Sequence, residues 1–300
     1  MIELSRLPAP KFVDVIDFET LFAEKKARLL AAAPADMRAS LAATLQLESE
    51  PLTIALQEDA YSEMLLRQRV NEAGLANLLA YAEKSDLDQI GANYGVQRLQ
   101  ITPENPDSTP PTTAVYEQDT PYRQRIQESW ARLSCAGPID SYKWHAKSAS
   151  GLVKDAGAIS FTPGCVTVFV LSSEGNGTAS AELISAVDAA LNDQAIRPLT
   201  DAVTVQSAAI IPYAITAELI VYPGPDATVV TQAALAAAKA YADAQHRLDR
   251  DVVLSGIYAT LHQPGVQRVI LHSPAADIIV SAGQAAYCTD ITVTQGGIGV

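Results

Sequence analysis

The stretch Glu63–Gly74, EMLLRQRVNEAG, has the composition of a helix interior, yet its apolar and charged residues do not sort onto two faces. Extended outward, a helix-compatible run reaches from Pro51, well placed in a first turn, to about Ala82 with no further proline. At ~1.5 Å per residue that run would be roughly 48 Å long. Stepping ~100° per residue, Leu52, Leu56, Val70 and Tyr81 point one way, Ala60 and Leu78 a second, Ile54, Tyr61 and Leu79 a third, and Leu75 a fourth. No face is left for water. Among these apolar positions sit Glu58, Asp59, Glu63, Arg67, Arg69 and Glu72, with Glu63 and Arg67 in the favourable carboxylate-first order four residues apart. A helix apolar on every side is normally buried, and one that also carries scattered charge usually spans several neighbours. The stretch therefore raises a question about partners.

The chain of 300 residues is long enough for two or three domains, and 48% hydrophobic residues make it globular. Its net charge of −13 is spread along the chain, with 10 basic and 15 acidic residues in 1–100, 5 and 6 in 101–150, and 6 and 13 in 151–300. No segment offers the basic footprint that nucleic-acid or anionic-lipid binding needs, so neither is expected as a partner. The N-terminal MIELSRLPAPKFVDVIDFET places acids and prolines where a secretory signal needs a basic end and an apolar run. The most apolar window, AAIIPYAITAELIVYP, is broken by Pro212 and Glu218 and is too short to span a bilayer. Cys135, Cys165 and Cys288 lack ligand spacing and read as buried or free thiols in a reducing compartment.

The texture along the chain predicts an α+β, multidomain protein: a helical N-terminal region with one long helix, followed by two small α+β lobes. The expected divisions are 1–102, a Pro-rich segment 103–121, a middle lobe 122–211 and a C-terminal lobe 212–300. Helices are expected at Phe18 to about Ala32, along the long run, and in SDLDQIGANYG, capped by Ser85 or Asp86 and closed at Gly95. Five prolines between Pro103 and Pro121 mark either an arm laid across a neighbouring subunit or a plain interdomain tether. Beyond a helix from about Tyr122 to Ser134, CVTVFVLS and TDAVTVQSA read as strands flanking a helix in ELISAVDAALNDQAI. From Pro212 a strand YAITAELIVY, an Ala-rich helix from about Thr228 to His246, and strands QRVILH and DIIV follow. SYKWHAKSASGLVKDA from Ser141 and SGIYATLHQPGVQRVI from Ser255 align without gaps, each a helix, a glycine and a strand.

Catalytic signatures do not emerge. There is no G-x-S-x-G elbow, P-loop, H-E-x-x-H or dinucleotide fingerprint, and SSEGNGT at 172–178 lacks the lysine of a phosphate loop. His145, His246, His262 and His272 show no metal-ligand spacing, although His262 and His272 could approach across a turn. Glu63, Glu72, Asp86 and Asp88 are better read as ion-pairing and capping carboxylates than as an acid–base pair. The pattern favours a protein that works through its contacts, with no cofactor and no metal.

Five segments in order carry a specific resemblance: YSEMLLRQRVNEAGLANLLAYA with DLDQIGANYGVQR, YRQRIQESWARLSCAGPIDSYKWHAKSAS, RPLTDAVTVQ, and VVLSGIYATLHQPGVQRVILHSP. Together they resemble the baseplate assembly protein J family of contractile-tailed bacteriophages and related phage-like injection particles. The resemblance implies a structural, non-enzymatic component of a tail baseplate wedge, located in the virion. Its expected partners are itself, two other wedge proteins and, indirectly, the central spike and tail sheath. It would link wedges into a ring around the spike and tube and transmit the trigger for sheath contraction. The helical region would bundle with wedge partners and the lobes would join wedges. On the long helix, Leu52, Leu56, Tyr61, Leu65, Leu75 and Leu79 would supply apolar contact, and Glu63, Arg67, Arg69 and Glu72 would set register. A single helical domain that buries the helix by itself is the alternative. Family members usually carry a glycine before the DLD segment, where this chain has Glu83-Lys84-Ser85. A left-handed Lys84 would be costly, so the helix is expected to run on to Lys84 with Ser85 capping the next. From another class, a tail-associated cell-envelope hydrolase would need a raised-pKa acid beside a second carboxylate or nucleophile. A receptor-binding tip would need repetitive Gly-rich β texture.

Overall fold

Asp17 opens the first α-helix of the chain, its carboxylate accepting the Thr20 backbone N–H at 3.0 Å. The computed structural model describes residues 3–14, 17–134, 137–224 and 226–299. Two compact units result, the first ending at Gln97 and the second beginning at Arg98. The first is helical: α1 (Phe18–Ala32), α2 (Arg38–Thr44), α3 (Pro51–Ala76) and α4 (Lys84–Asn93). The second is mixed, and the fold class is α+β with several lobes, as the sequence implies.

In the helical unit α3 packs along α1, where Leu21, Phe22 and Ala60 form a small core lined by Phe18, Leu56 and Met64. The N-terminal strap is tied across α3 by Asn71, whose carbonyl oxygen accepts the N–H groups of Phe12 and Val13 at 3.1 and 2.9 Å. Its amide donates in return to the Val13 carbonyl at 2.9 Å. Gly74 leaves the space that the Phe12 ring fills, since a Cβ there would collide with that ring.

The long helix is shorter than its sequence allows. It stops at Ala76, where the Asn77 side chain donates to the Ala73 carbonyl at 2.7 Å and so competes with the helical ladder. Leu78 to Ala82 then turn the chain, placing Ala82 and Leu87 fully inside. Lys84 takes φ +49°, contrary to the expected continuous helix, and Glu83 occupies the N-cap position rather than Ser85 or Asp86. The left-handed residue costs about 1–2 kcal/mol, which burial of Ala82 and Leu87 offsets.

The second unit begins with an unanticipated hairpin. β1 (Gln100–Thr102) pairs antiparallel with β2 (Val115–Tyr116), and Asn105 and Thr112 exchange both backbone hydrogen bonds nearer the tip. Its base is fixed by a buried bidentate pair, Arg125 Nε and Nη2 to the two Glu117 carboxylate oxygens at 2.9 and 2.7 Å. Glu117 also accepts the Leu99 N–H, and Arg98 lies on the Tyr122 ring. Arg125 belongs to α5 (Asp119–Glu128), which leads through a 3-10 turn, Ser129–Leu133, towards α6 (Ile139–Ala149).

Each lobe is a three-stranded sheet covered by two helices. In the middle lobe β3 (Val153–Thr162) pairs antiparallel with the central β4 (Cys165–Ser172), which pairs parallel with β5 (Ala202–Ser207) across α7 (Ala181–Leu191). In the C-terminal lobe the central β6 (Ala209–Val221) pairs antiparallel with β7 (Val266–Ser273) and parallel with β8 (Gln284–Ile298). α8 (Ala227–Gln245) lies on the β8 side and α9 (Leu254–Leu261) on the β7 side. The helix–glycine–strand echo of the sequence thus occupies the antiparallel edge in both lobes, as α6–β3 and α9–β7. The chain order differs: that edge unit precedes the central strand in the middle lobe and follows the covering helix α8 in the other.

Alternation dictates the C-terminal core. Tyr213, Ile215, Ala217, Leu219 and Val221 face inward from β6, and Val230, Ala234, Ala238 and Ala242, at steps of four, are the buried stripe of α8. Pro212 is tolerated because β7 reaches only Thr216, leaving β6 with β8 alone as neighbour at that height. DIIV is not a strand but one bridge, Ile278 to Val252, while β8, absent from the sequence reading, is the longest strand. The helix in ELISAVDAALNDQAI likewise ends at Leu191. Between the lobes Leu171, Ala208, Leu248 and Ala285 form a shared core, and Asp155 accepts the Leu248 N–H at 3.1 Å. Gly283, at φ +77°, lies directly against the Phe169 ring, where a Cβ would stand at 2.7 Å.

Candidate association surface on the long helix

α3 covers about 39 Å at ~1.5 Å per residue and turns a single face, marked by Thr53, Ala60, Arg67 and Asn71, towards α1 and the N-terminal strap. The rest of its circumference carries large apolar side chains in the open. Ile54, Tyr61 and Leu65 follow one another at i, i+7 and i+11 along one flank, and Leu52, Leu66 and Val70 along the opposite flank. Leu65 is 45% and Leu66 65% exposed, the second at the middle of the helix. For a helix whose fold has been completed, this is an unusual amount of apolar surface left to water.

The residues singled out from the sequence divide. Leu52, Tyr61, Leu65, Arg69 and Glu72 are exposed, whereas Leu56, Glu63, Arg67, Leu75 and Leu79 are partly buried. Leu56 lies against the α1 core. Ile54, Leu66 and Val70 share the open surface though they were not in the expected set; the helical wheel could have found them once the α1-facing side was known.

The charged residues pair within the unit. Lys25 of α1 bridges Asp59 at 2.7 Å and Glu63 at 2.8 Å, and Glu63 also accepts from Arg67 at 2.7 Å. The Lys25 bond, then the Arg67 bond, hold the Glu63 carboxyl down to about 2, and the two carboxylates, Asp59 foremost, raise Lys25. Arg67 also donates to the Asp14 carbonyl at 3.3 Å. These charges therefore fix the register of α1 on α3. Arg69 and Glu72 stand apart in an exposed pair at 3.4 Å. Lys25 lies 34 residues before Asp59, so no local pattern announces it.

Two of the four histidines make side-chain contacts inside the second unit. His272 faces Glu218 at 3.5 Å, His246 contacts Lys154 at 2.8 Å, and the 172–178 segment is a turn whose Gly177 abuts His246. Among the described residues no group of three His, Cys, Asp or Glu converges on a common point, and no helix is long and apolar enough to cross a membrane. Cys165 and Cys288 are free thiols; Cys135 lies outside the described residues.

A long helix with open apolar flanks, joined in one chain to two helix-covered sheets, is the build of an assembly protein. Family comparison specifies which. The Baseplate J-like N-terminal domain matches residues 48–105, the Baseplate J-like central domain residues 134–207, and the Baseplate J-like protein C-terminal domain residues 213–294. Baseplate protein J of Escherichia phage P2 is 51% identical over 297 residues, covering 99% of this chain and 98% of that protein. The chain belongs to the baseplate J family of contractile-tailed phages, and it is a structural protein of the virion's tail baseplate.

Proposed function

We propose that the chain is a wedge component of the baseplate, that it links wedges into a ring around the central spike and tube, and that it passes the trigger for sheath contraction around that ring. Its work is done by contact, without catalysis. The helical region, 1–102, associates with two other wedge proteins, the Pro-rich segment 103–121 carries the connection, and the lobes 122–211 and 212–300 join copies of the chain to one another. The observation that carries this reading is the exposure of Leu52, Ile54, Tyr61, Leu65, Leu66 and Val70 on a helix that spends only one face on its own unit. Covering one such side chain contributes about 1.5–3 kcal/mol, so a partner lying along α3 has ample driving force. Glu63, already engaged by both Lys25 and Arg67, holds α3 in place while its flanks are offered.

Co-purification with the wedge proteins expressed from the same tail genes tests it. Leu65→Asp places a carboxylate in the covered surface, which costs several kcal/mol, and each ~1.4 kcal/mol is a tenfold loss of affinity. The expected result is loss of the complex by a factor of about 100 or more, with the variant itself folded. Normal assembly of the variant would remove the long helix from the wedge contact.

A further inference from the structure

The two lobes meet at a small apolar core, Leu171, Ala208, Leu248 and Ala285, and a buried polar contact joins the same two lobes. His246 closes α8 at its C-terminal end and is only 7% exposed. Its Nδ1 stands 2.8 Å from Nζ of Lys154, which belongs to β3 of the middle lobe. An ammonium has donors only, so Nδ1 is the acceptor and the single proton of the ring sits on Nε2. Nε2 has no hydrogen-bond partner among the described residues. It lies against the 172–178 turn, where a Cβ on Gly177 would stand 2.7 Å away. On another side the Tyr287 ring meets the imidazole edge-on, with centroids 5.2 Å apart. The geometry suits a neutral imidazole held between elements of both lobes.

A second proton has no good place there. It would go to Nδ1, abolish the bond from Lys154 and leave two cations 2.8 Å apart. The carboxylates nearby do not remove that conflict. Asp155 on β3 already accepts the Ala156 and Leu248 N–H groups. Asp290 shares a cleft of about 390 Å³ with His246, but Lys239 lines the same cleft. Glu174, the one charge of the 172–178 turn, is exposed to water. Asp243, one turn earlier on α8, favours the protonated ring, whereas Arg247 adds a further cation beside Lys154. Burial foremost, then the Lys154 charge, hold the His246 ring below its ordinary 6.5. Lys154 has an exposed stem and is able to swing into water, but the imidazolium would then stay buried without its partner. Parting the lobes hydrates both groups.

We propose that Lys154 and His246 form a pH-sensitive latch between the lobes, shut while the imidazole is neutral and released when it takes up a proton from solvent. The latch is a property of the single chain and does not depend on the wedge partners. Because the shut form disfavours the protonated ring, closure is at full strength above pH 6.5 and weakens as pH falls below it. With the freed ring titrating at about 6.5, the opening constant at pH 5 exceeds that at pH 8 by up to ~30-fold.

Amide hydrogen exchange of the full chain at pH 8 and pH 5 tests this. The Leu248 N–H donates across the junction to Asp155 at 3.1 Å and reports opening, and the Leu219 amide in the centre of β6 reports the interior of the C-terminal lobe. The reference is His246→Asn, which keeps an acceptor for Lys154 and does not titrate. Dividing parent by variant exchange at one pH cancels the intrinsic pH dependence of the amides. From pH 8 to pH 5 that ratio is expected to rise by about fivefold or more at Leu248 and to stay level at Leu219. Lys154→Met keeps the apolar stem and the ring but removes the facing cation. It should raise the His246 midpoint, read from the imidazole proton signals by NMR, and reduce the acid effect at Leu248. These two readings need no change at the buried ring, so they decide the question even where His246→Asn fails to fold. A flat ratio at Leu248, a parent His246 midpoint at or above 6.5, or a midpoint unmoved by Lys154→Met would overturn the latch. So would an equal rise at Leu219, which would make the effect general acid unfolding.

Discussion

Compare α3 with β6. Both are long and both are rich in apolar residues. Every second residue of β6 from Tyr213 to Val221 is buried beneath α8 and α9, whereas α3 buries only a strip around Ala60 and leaves Leu65 and Leu66 in water. β6 is covered within its own lobe by α8 and α9. In the helical unit α3 keeps two apolar flanks uncovered, the surface proposed above for a wedge partner. The same difference appears in charge: the lobe base is fixed by a fully buried Arg125–Glu117 pair, the helical unit by the half-open Lys25–Glu63–Arg67 cluster.

That comparison breaks or sharpens under substitution. The largest stability loss is expected from Arg125→Ala, which strands the Glu117 carboxylate inside; breaking a buried pair costs about 3–5 kcal/mol. Both tryptophans, Trp130 and Trp144, belong to the same unit and Trp144 donates to the Arg125 carbonyl at 3.0 Å, so tryptophan fluorescence during urea unfolding reads the change directly. An unchanged midpoint would mean that the hairpin base does not hold the unit together. Next, Leu219→Ala should cost about 2–5 kcal/mol by opening a cavity under α8 and α9. At the other extreme, Leu66→Ser should change the stability of the isolated chain by no more than about 0.5 kcal/mol. If Leu66→Ser matched Leu219→Ala in a denaturant titration, α3 would already be covered in the free chain and the contrast would collapse.

The smallest effect concerns acid. Because the Glu63 carboxyl titrates at about 2 in the folded unit against an ordinary 4.5, its favourable contribution is complete above pH 4.5. It fades as pH falls from there towards 2, where the folded carboxylate takes up its proton. Helicity of the chain followed by circular dichroism between pH 5 and 2 should therefore decline less steeply in Glu63→Gln than in the parent chain. Equal slopes would show that Lys25 and Arg67 add nothing to holding α1 on α3.

Much of this architecture was legible in residue order because its causes are local. CVTVFVLS alternates and forms β4 with those bounds; α1 runs from Phe18 to Ala32 as expected; the Ala-rich run closes into α8 within a residue of its expected ends. Periodicity and capping act over one or two turns, so the sequence carries them whole. The order of family-like segments carried the class of protein in the same way. Tertiary structure alone decided the rest. It ended the long helix at Asn77 and accepted a left-handed Lys84, because burying Ala82 and Leu87 outweighs the local cost. It made one strand of QAAYCTDITVTQGGI by pairing its whole length with β6, although only the β-branched alternation of DITVTQ carries a local strand signal. It chose which face of α3 meets α1, since Lys25 and Leu21 arrive from a different helix. And it brought the two helix–glycine–strand units to equivalent edges of two sheets through different chain orders, because a sheet is satisfied by who its neighbours are and not by the path the chain takes between them.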